Sequence, residues 1–363
     1  MKAKEFVGRL SSIDINNFYG VPDSLMSSLS KYLELESSPK TVHKIMHNEG
    51  GAVGIAIGTY IAKKQYSAVY LQNSGLGNIV NPITSLTNSS VFGIPILYII
   101  GWRGEPGTKD EPQHSFQGNI TTEILDLLDI EYVVLESEND FDVLKIKKAL
   151  SKNKSFALII KKNFFDKDEA SFDKNENPLH RQDVINSLYK AYDENTFFVS
   201  TTGKTSRELY EITKSEEKTR SFFSIGGMGH ASSIALGVAE NTNHQVVCFD
   251  GDGALLMHMG SLSIIGTSEL KNFHYLLLNN YSHESVGGQP TISKNINFEL
   301  ISKANNFDKY ISIKTIDDLE EYTNNINSFT GSKIFVEIHV EMYSDKALPR
   351  PNLTPKEYLE KFK

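Results

Sequence analysis

The chain has 363 residues, a formal charge of −8 and 39% hydrophobic residues. That is an ordinary globular composition, long enough for about two domains that each bury a core. The acidic balance argues against an extended nucleic-acid footprint, which needs a basic face. The single cysteine, Cys248, excludes a disulfide framework or a cysteine-based zinc cluster.

The opening residues Met1-Lys2-Ala3-Lys4-Glu5 lack the apolar stretch of a signal peptide. The best membrane candidate, Ile94 to Trp102, is far shorter than the roughly 20 residues needed to span a bilayer. A cytoplasmic protein without a membrane partner is expected. Along the chain, short apolar runs alternate with amphipathic stretches, the rhythm of βαβ units around a parallel sheet. In the first half, strands are predicted at Val42–Met46, Ala68–Leu71, Pro95–Ile100, Tyr132–Leu135 and Phe156–Ile160. Helical periodicity fits Asp23–Tyr32, with Pro22 in its first turn, and then Gly50–Lys64, Ile79–Ser89, Gln117–Leu127 and Asp140–Leu150. The polar, aperiodic stretch Lys161 to Pro178 breaks the rhythm and reads as a linker. Strands resume at Thr196–Ser200, Phe222–Ile225, Gln245–Phe249, His274–Leu278, Tyr310–Ile313 and Ile334–Ile338. The expected fold class is α/β: two doubly wound parallel-sheet domains, 1–165 and 180–363, joined by a linker at 166–179. There is no close sequence repeat between the halves.

Gly251-Asp252-Gly253 follows one apolar run, and Asn279-Asn280 closes another 25 residues further on. Both clusters therefore fall where buried strands end, the edge at which open α/β sheets bind ligands. Either cluster alone reads more simply as a turn or loop. Together, a carboxylate and a carboxamide beside glycines suit a hard cation that carries phosphate oxygens. Mg²⁺ takes six oxygens and usually shares its shell with phosphates. Asp252, the Asn280 side chain and a backbone carbonyl near Ser282 can supply three; two diphosphate oxygens and a water would complete the set.

Glu49 stands at the end of the Val42–Met46 strand and opens a helix rich in small residues: Gly50, Gly51, Ala52, Gly54, Ala56 and Gly58. A carboxylate there is also what the helix dipole favours without any catalytic role. Ser224-Ile225-Gly226-Gly227-Met228-Gly229 places glycines at a strand-to-helix turn, where backbone N–H groups can bind diphosphate. Met228 between them reads equally as core packing. Asn73-Ser74-Gly75-Leu76-Gly77-Asn78 is another strand-end loop before a helix.

The spacing from Gly251-Asp252-Gly253 to Asn279-Asn280, with Glu49 in the first half, resembles the thiamine diphosphate-dependent enzymes. The resemblance implies that thiamine diphosphate and Mg²⁺ are cofactors, and that domain 1–165 binds the pyrimidine and domain 180–363 the diphosphate. Glu49 would hydrogen-bond the aminopyrimidine and stabilise its imino form. Met228 would prop the cofactor in its bent shape. Asn73, Thr202, Gly203, Gly227, Gly229, Asp252, Gly253, Ala254 and Asn280 would line the cofactor, with Asp252, Asn280 and Ser282 on the metal. Homodimers or larger assemblies, with active sites at a subunit boundary, are implied as well.

Three loops narrow the choice: Trp102 to His114, Thr201 to Leu209, and His283 to Thr291. With Tyr19-Gly20-Val21-Pro22-Asp23-Ser24 they resemble the phosphonopyruvate decarboxylase family, in order, from Phe18 to about Thr291. Lys204 departs from that pattern, where an uncharged side chain is expected. The implied activity is decarboxylation of phosphonopyruvate to phosphonoacetaldehyde, in phosphonate biosynthesis. An acidic protein must gather positive charge locally to hold so anionic a 2-oxo acid, and Arg presents a fork to phosphonate where Lys presents a point charge. Ser24, Arg103, Lys109, His114 and His283 are the expected substrate contacts, with His114 and His283 also catalytic; each has a plain alternative as a solvated or structural side chain. Arg207 is expected to pair near its own helix.

Three alternatives remain. Sulfopyruvate decarboxylase has the same chemistry but is often split into two chains, so a single chain favours phosphonate. A ligase of the acetolactate synthase kind needs a third domain, for which the Lys161–Pro178 connection leaves no room. A nucleotide-binding sensor needs neither Glu49 nor the Asn pair, and no clear G-x-G-x-x-G occurs in the first half.

Overall fold

Central strands of a parallel sheet are covered on both faces, so they read as unbroken apolar runs rather than alternating ones. Ser67–Gln72, Leu97–Gly101 and Phe156–Ile160 are buried along almost their whole length, as are Val246–Gly251 and Phe273–Asn279. The computed structural model describes residues 1–167, 171–173, 175–342, 348 and 354–362. The chain forms two compact units, Met1–Phe172 with Val286–Gln289, and Asp173–Ser285 with Pro290–Lys363.

Unit 1 runs α1 (Ala3–Ser11), β1 (Asn17–Gly20), α2 (Ser27–Leu35), β2 (Val42–Ile45), α3 (Glu49–Lys63), β3 (Ser67–Gln72), α4 (Leu76–Pro82), β4 (Leu97–Gly101), α5 (Pro112–Leu127), β5 (Glu131–Leu135), α6 (Val143–Leu150) and β6 (Phe156–Ile160). Its six strands are all parallel, in the order β2-β1-β3-β4-β6-β5. One face is covered by Phe6, Leu29 and Ile146 from α1, α2 and α6. Ala52, Ile79 and Leu125 from α3, α4 and α5 cover the other.

Unit 2 runs α7 (Arg181–Ala191), β7 (Phe197–Ser200), α8 (Lys204–Thr213), β8 (Ser221–Phe223), α9 (Ala231–Ala239), β9 (Val246–Gly251), α10 (Asp252–Met257), α11 (Ser261–Thr267) and β10 (Phe273–Asn279). After these come the two-residue β11 (Ser282–His283) and β12 (Gln289–Pro290), then α12 (Phe298–Ala304), β13 (Lys309–Ile313), α13 (Ile316–Asn324), β14 (Lys333–His339) and α14 (Pro355–Lys361). Its main sheet is again six parallel strands, in the order β13-β14-β10-β9-β7-β8. Val184, Leu209 and Leu319 pack on one face, and Ala235, Leu262 and Phe298 on the other. When the six strands of each sheet are numbered along the chain, both orders read 2-1-3-4-6-5. Two doubly wound α/β domains of one topology are thus present despite the absence of a sequence repeat.

Several predicted boundaries move, each for a local reason. The helix expected from Asp23 starts later: Asp23 is an N-cap whose carboxylate accepts from Leu25 N at 3.0 Å, and Pro22 lies outside the helix. The Gln117–Leu127 helix begins instead at Pro112, whose fixed φ suits the first helical position, so His114 is helical and not in a loop. Ile79–Ser89 divides into α4 and a π-turn at Ile83–Thr87. Phe164 and Phe165, at the start of the predicted linker stretch, pack edge-on to Phe6 in the core of unit 1.

The strand that sequence reading missed is β1. Only Phe18 and Tyr19 are apolar in it, yet all four residues are buried. Asn17 is accommodated because its amide donates to Tyr66 O at 3.3 Å. Gly20 is accommodated because it has no side chain: a Cβ there would lie 2.1 Å from the Tyr70 carbonyl oxygen on β3. Gly20→Ala is therefore expected to cost about 1–3 kcal/mol by overpacking. Gly8→Ala on α1, where nothing lies within 4 Å of the added methyl, should be neutral or stabilising by about 0.5–1 kcal/mol. Urea unfolding of both variants checks this, and equal midpoints would refute the close β1–β3 packing.

Candidate active site

In an open parallel sheet the crevice for ligands opens where strand order reverses, outside the carboxyl ends of the strands. That point lies between β1 and β3 in unit 1 and between β7 and β9 in unit 2. Every residue singled out from sequence leaves a strand at this edge. In unit 1, Ser24 follows β1, Glu49 follows β2, Asn73 follows β3, and Arg103, Lys109 and His114 follow β4. In unit 2, Thr202 and Gly203 follow β7, Gly227, Met228 and Gly229 follow β8, Asp252, Gly253 and Ala254 follow β9, and Asn280, Ser282 and His283 follow β10.

Asp252 is the first residue of α10 and is only 2% exposed. Its Oδ2 accepts from the Thr291 hydroxyl and from Ser293 Oγ at 2.9 Å. No cation pairs with it among the described residues, and loss of water pushes its pKa up to about 6. Asp250, one pleat earlier, is likewise desolvated to a pKa of about 6 and accepts from Tyr275 Oη at 2.8 Å. The Asn279 amide donates to Glu337 Oε1 at 2.8 Å and its carbonyl accepts from Ser293 Oγ at 3.1 Å, so Asn279 is a structural tie. Asn280 differs: among the described residues its Oδ1 accepts from Ser282 N alone, at 3.1 Å, and its Nδ2 donates to Glu284 Oε2 at 3.2 Å. The oxygens of Asp252, Asn280 and the Ser282 main chain are hard donors in type. Among the described residues no three His, Cys, Asp or Glu side chains form a metal cluster.

Around this set the backbone is opened by glycine. Gly203, Gly227 and Gly229 have φ of +91°, +64° and +87°. A Cβ on Gly253 would sit 3.1 Å from the His283 ring and 3.3 Å from Met228 Cε, so Gly253, His283 and Met228 surround one small space. The hydroxyls of Ser224 and Ser282 are buried without a partner among the described residues. Unpaired buried hydroxyls beside glycine turns fit a phosphate-bearing cofactor. Desolvation lowers the His283 pKa to about 4, so at neutral pH it offers a neutral hydrogen bond.

Lys204 is accounted for by a network absent from the sequence reading. Its Nζ donates to Glu284 Oε1 at 2.9 Å, while Arg181 reaches Glu284 Oε2 at 2.9 Å and grips Glu208 with two bonds of 2.6 and 2.8 Å. Burial raises the Glu284 pKa, but Arg181 and Lys204 outweigh it and hold the carboxylate below its usual range.

In unit 1, Glu49 is the first residue of α3 and 5% exposed. Its Oε2 accepts from Asn78 Nδ2 at 2.7 Å, and burial raises its pKa. Gly75 makes room for it, since a Cβ there would be 2.4 Å from Glu49 Oε1. Ser24, Arg103 and His114 do come together: Asp110 joins Arg103 to His114, and Arg103 reaches Ser24. Arg103 forks onto Asp110 at 2.8 and 2.6 Å and donates to Ser24 Oγ at 2.9 Å, and His114 Nδ1 lies 3.1 Å from Asp110 Oδ1. The guanidinium fork expected to face substrate is thus already occupied by a carboxylate. Asn73 braces the same loop, its amide bonding Arg103 O at 2.8 Å and its carbonyl Arg103 N at 3.2 Å. Lys109 is exposed and makes no ion pair or hydrogen bond among the described residues. Asp23 was overlooked as a functional group: it is fully buried, Oδ1 has no partner among the described residues, and desolvation lifts its pKa to about 6. The signal was a carboxylate immediately after a strand, masked because β1 itself was missed.

Comparison with known proteins places this geometry. Residues 2–126 match the family described as the thiamine pyrophosphate enzyme N-terminal TPP binding domain, and residues 201–330 match the corresponding C-terminal TPP binding domain. A phosphonopyruvate decarboxylase of Streptomyces viridochromogenes is 30% identical over 99% of this chain and 94% of its own. That of Streptomyces hygroscopicus is 30% identical over 100% of this chain and 93% of its own. The chain belongs to the phosphonopyruvate decarboxylase family of thiamine pyrophosphate enzymes. A sulfopyruvate decarboxylase of Methanosarcina acetivorans is 25% identical over 88% of this chain and 87% of its own. Sulfopyruvate decarboxylase subunits of Methanocaldococcus jannaschii and Methanococcus maripaludis also match, so both split and undivided forms of that enzyme resemble this chain. Among the described residues no helix is long and apolar enough to cross a membrane.

The buried aspartates make stability depend on pH in a defined direction. Asp23, Asp250 and Asp252 have folded-state values near 6 against an ordinary value of 3.8, so the folded chain binds more protons between about pH 4 and pH 6. Stability of the cofactor-free protein should fall as pH rises through that window and stay low above it. Each group contributes on the order of 3 kcal/mol at most. Asp252→Asn should therefore raise the melting temperature of the cofactor-free protein at pH 7.5 and flatten the profile. A variant no more stable than the parent would mean that Asp252 is not held as an uncompensated carboxylate.

Proposed function

We propose that the protein decarboxylates 3-phosphonopyruvate to phosphonoacetaldehyde and CO₂, with thiamine diphosphate and Mg²⁺ as cofactors. The observation that carries this reading is the match to phosphonopyruvate decarboxylases along essentially the whole chain. When bound, thiamine diphosphate supplies the electron sink that lets the carboxylate leave as CO₂. In this reading Asp252, the Asn280 carboxamide and the Ser282 carbonyl hold Mg²⁺. Thr202, Gly203, Gly227, Gly229, Gly253 and Ala254 line the diphosphate, and Met228 supports the rings. Residues 180–363 form the diphosphate-binding domain and residues 1–165 the pyrimidine-binding domain, joined through 166–179. Glu49 faces the pyrimidine with a buried carboxyl, and Asn73 braces the loop above it. The working form is a homodimer or larger assembly with its active sites where two copies meet. A cytoplasmic location and a place in 2-aminoethylphosphonate synthesis belong to the same reading.

For substrate, Lys109 is exposed and makes no ion pair or hydrogen bond among the described residues, so its ammonium can meet a phosphonate. Ser24, Arg103 and His114 shape that loop, and His114 and His283 offer neutral hydrogen bonds. Asp23, with a carboxyl pKa pushed up to about 6, can hold a proton near Arg103.

Sulfopyruvate decarboxylation is the second reading, supported by the near-full-length likeness to a single-chain sulfopyruvate decarboxylase. Assay of purified protein with thiamine diphosphate and Mg²⁺ on phosphonopyruvate, sulfopyruvate and pyruvate separates the two, and phosphonopyruvate is expected to be the best substrate. Lys109→Ala should lower kcat/KM for phosphonopyruvate by about ten- to a hundredfold, the worth of one charge-assisted bond, and spare slow pyruvate turnover. Arg103→Ala should lower both rates, because it unties Asp110 and Ser24. Equal losses from Lys109→Ala on both substrates would remove Lys109 from the phosphonate contact. Separately, Glu49→Gln should keep Mg²⁺-dependent cofactor binding and lose turnover by orders of magnitude. Loss of binding instead would make Glu49 a structural residue.

A further inference from the structure

Asn280 and Ser282 are the proposed metal ligands of the β10 end, and Tyr281 stands between them with φ of +61°. The other non-glycine residues with positive φ among the described residues are three Asn, two Asp and one Lys. Asn and Asp tolerate the left-handed region, whereas a bulky aromatic residue there is a conformational outlier. Outliers of this kind persist only where surrounding contacts hold them, and they concentrate at functional sites.

The contacts that hold Tyr281 are all in unit 2. Its N–H donates to Asn279 Oδ1 at 3.2 Å, and its carbonyl accepts from Thr291 N at 2.9 Å. Its hydroxyl bonds His339 Nδ1, and His339 Nε2 lies 3.2 Å from Ser312 Oγ. His339 ends β14 directly opposite Asn279 in the ladder, so the tyrosine is anchored to the neighbouring strand end. Lys294 Nζ sits 5.5 Å from the centre of its ring. The left-handed residue reverses the chain so tightly that Asn280 Oδ1 accepts from Ser282 N at 3.1 Å, an Asx turn. The Asn280 oxygen keeps a lone pair, and the Ser282 main chain is folded back beside it.

We propose that Tyr281 is a positioning residue for the divalent cation: its hydroxyl, anchored on His339, keeps residue 281 left-handed and so holds the Asn280 carboxamide and the Ser282 carbonyl in ligating order. This rests on the thiamine diphosphate and Mg²⁺ reading above. The Thr291 contact extends the same logic, because Thr291 ties the Tyr281 carbonyl through its main chain and the Asp252 carboxylate through its hydroxyl. One short segment thereby fixes all three protein oxygens.

The test measures Mn²⁺ affinity by paramagnetic resonance, in the presence of thiamine diphosphate, for the full-length protein and its variants. The unaltered protein should bind Mn²⁺ only with thiamine diphosphate present. Failure there overturns the cofactor reading, and this inference with it. Given binding, Tyr281→Phe and Tyr281→Ala should each weaken affinity about five- to tenfold, the worth of one lost hydrogen bond. Tyr281→Gly, which reaches positive φ without a steric penalty, should stay within about threefold of the parent. His339→Ala should match Tyr281→Phe, and the double variant should be no weaker than either single one. Normal affinity in Tyr281→Phe, or equal affinities in Tyr281→Gly and Tyr281→Ala, would overturn the positioning role and leave the cofactor reading intact. Melting temperatures taken alongside do not move that comparison, since Gly and Ala both remove the ring.

Discussion

A carboxylate stripped of water must recover its lost hydration from something, and the arrangement of both sheet edges follows from how this chain does so. Asp252 recovers it from two hydroxyls, and Asp250 from a tyrosine and its own turn. Asp23 recovers it on one oxygen only. Desolvation outweighs these hydroxyls and amides, and at Asp23 it outweighs the nearby Arg103 guanidinium too, so all three groups are shifted up to about 6. A chain selected only for stability has no reason to keep them. Perturbed, uncompensated carboxyls gathered at ligand-binding edges are what a catalytic site requires of its scaffold.

The two units use one topology for different chemistry. Both order their strands 2-1-3-4-6-5 and both open at the reversal point. The edge of unit 2 is built from glycine turns and oxygen donors, suited to phosphate and a hard cation. The edge of unit 1 carries a buried Glu49 with one amide partner and an Arg103–Asp110–His114 cluster. Topology decides where each side chain can act, and the residue at the strand end decides what it does there.

Much of this was legible in the sequence because parallel strands are written as uninterrupted apolar runs. Val246 to Gly251 and Phe273 to Asn279 announce themselves, and with them Asp252 and Asn280. What escaped is whatever depends on long-range partners. Asn17–Gly20 does not look like a strand, since its burial rests on a hydrogen bond to Tyr66 and a close approach to Tyr70. Missing it hid Asp23. Arg103 looked like a free fork because Asp110, seven residues on, carries no sign in sequence that it folds back. Thr291 and Ser293 bear on Asp252 from 39 and 41 residues away, beyond any local pattern. The Tyr281 conformation is invisible to propensity, which would favour an extended aromatic there.

Lys204 shows how a departure from a family pattern can be neutral in charge and still consequential. Arg181 and Lys204 face Glu208 and Glu284, two cations against two carboxylates. The network is balanced, so Lys204 brings no spare positive charge to the loop at Gly203. Its partner Glu284 also receives the Asn280 amide, which settles which end of that carboxamide faces outward, since only the nitrogen can donate to a carboxylate. A diphosphate held here must therefore rely on main-chain N–H groups and its own cation rather than on lysine.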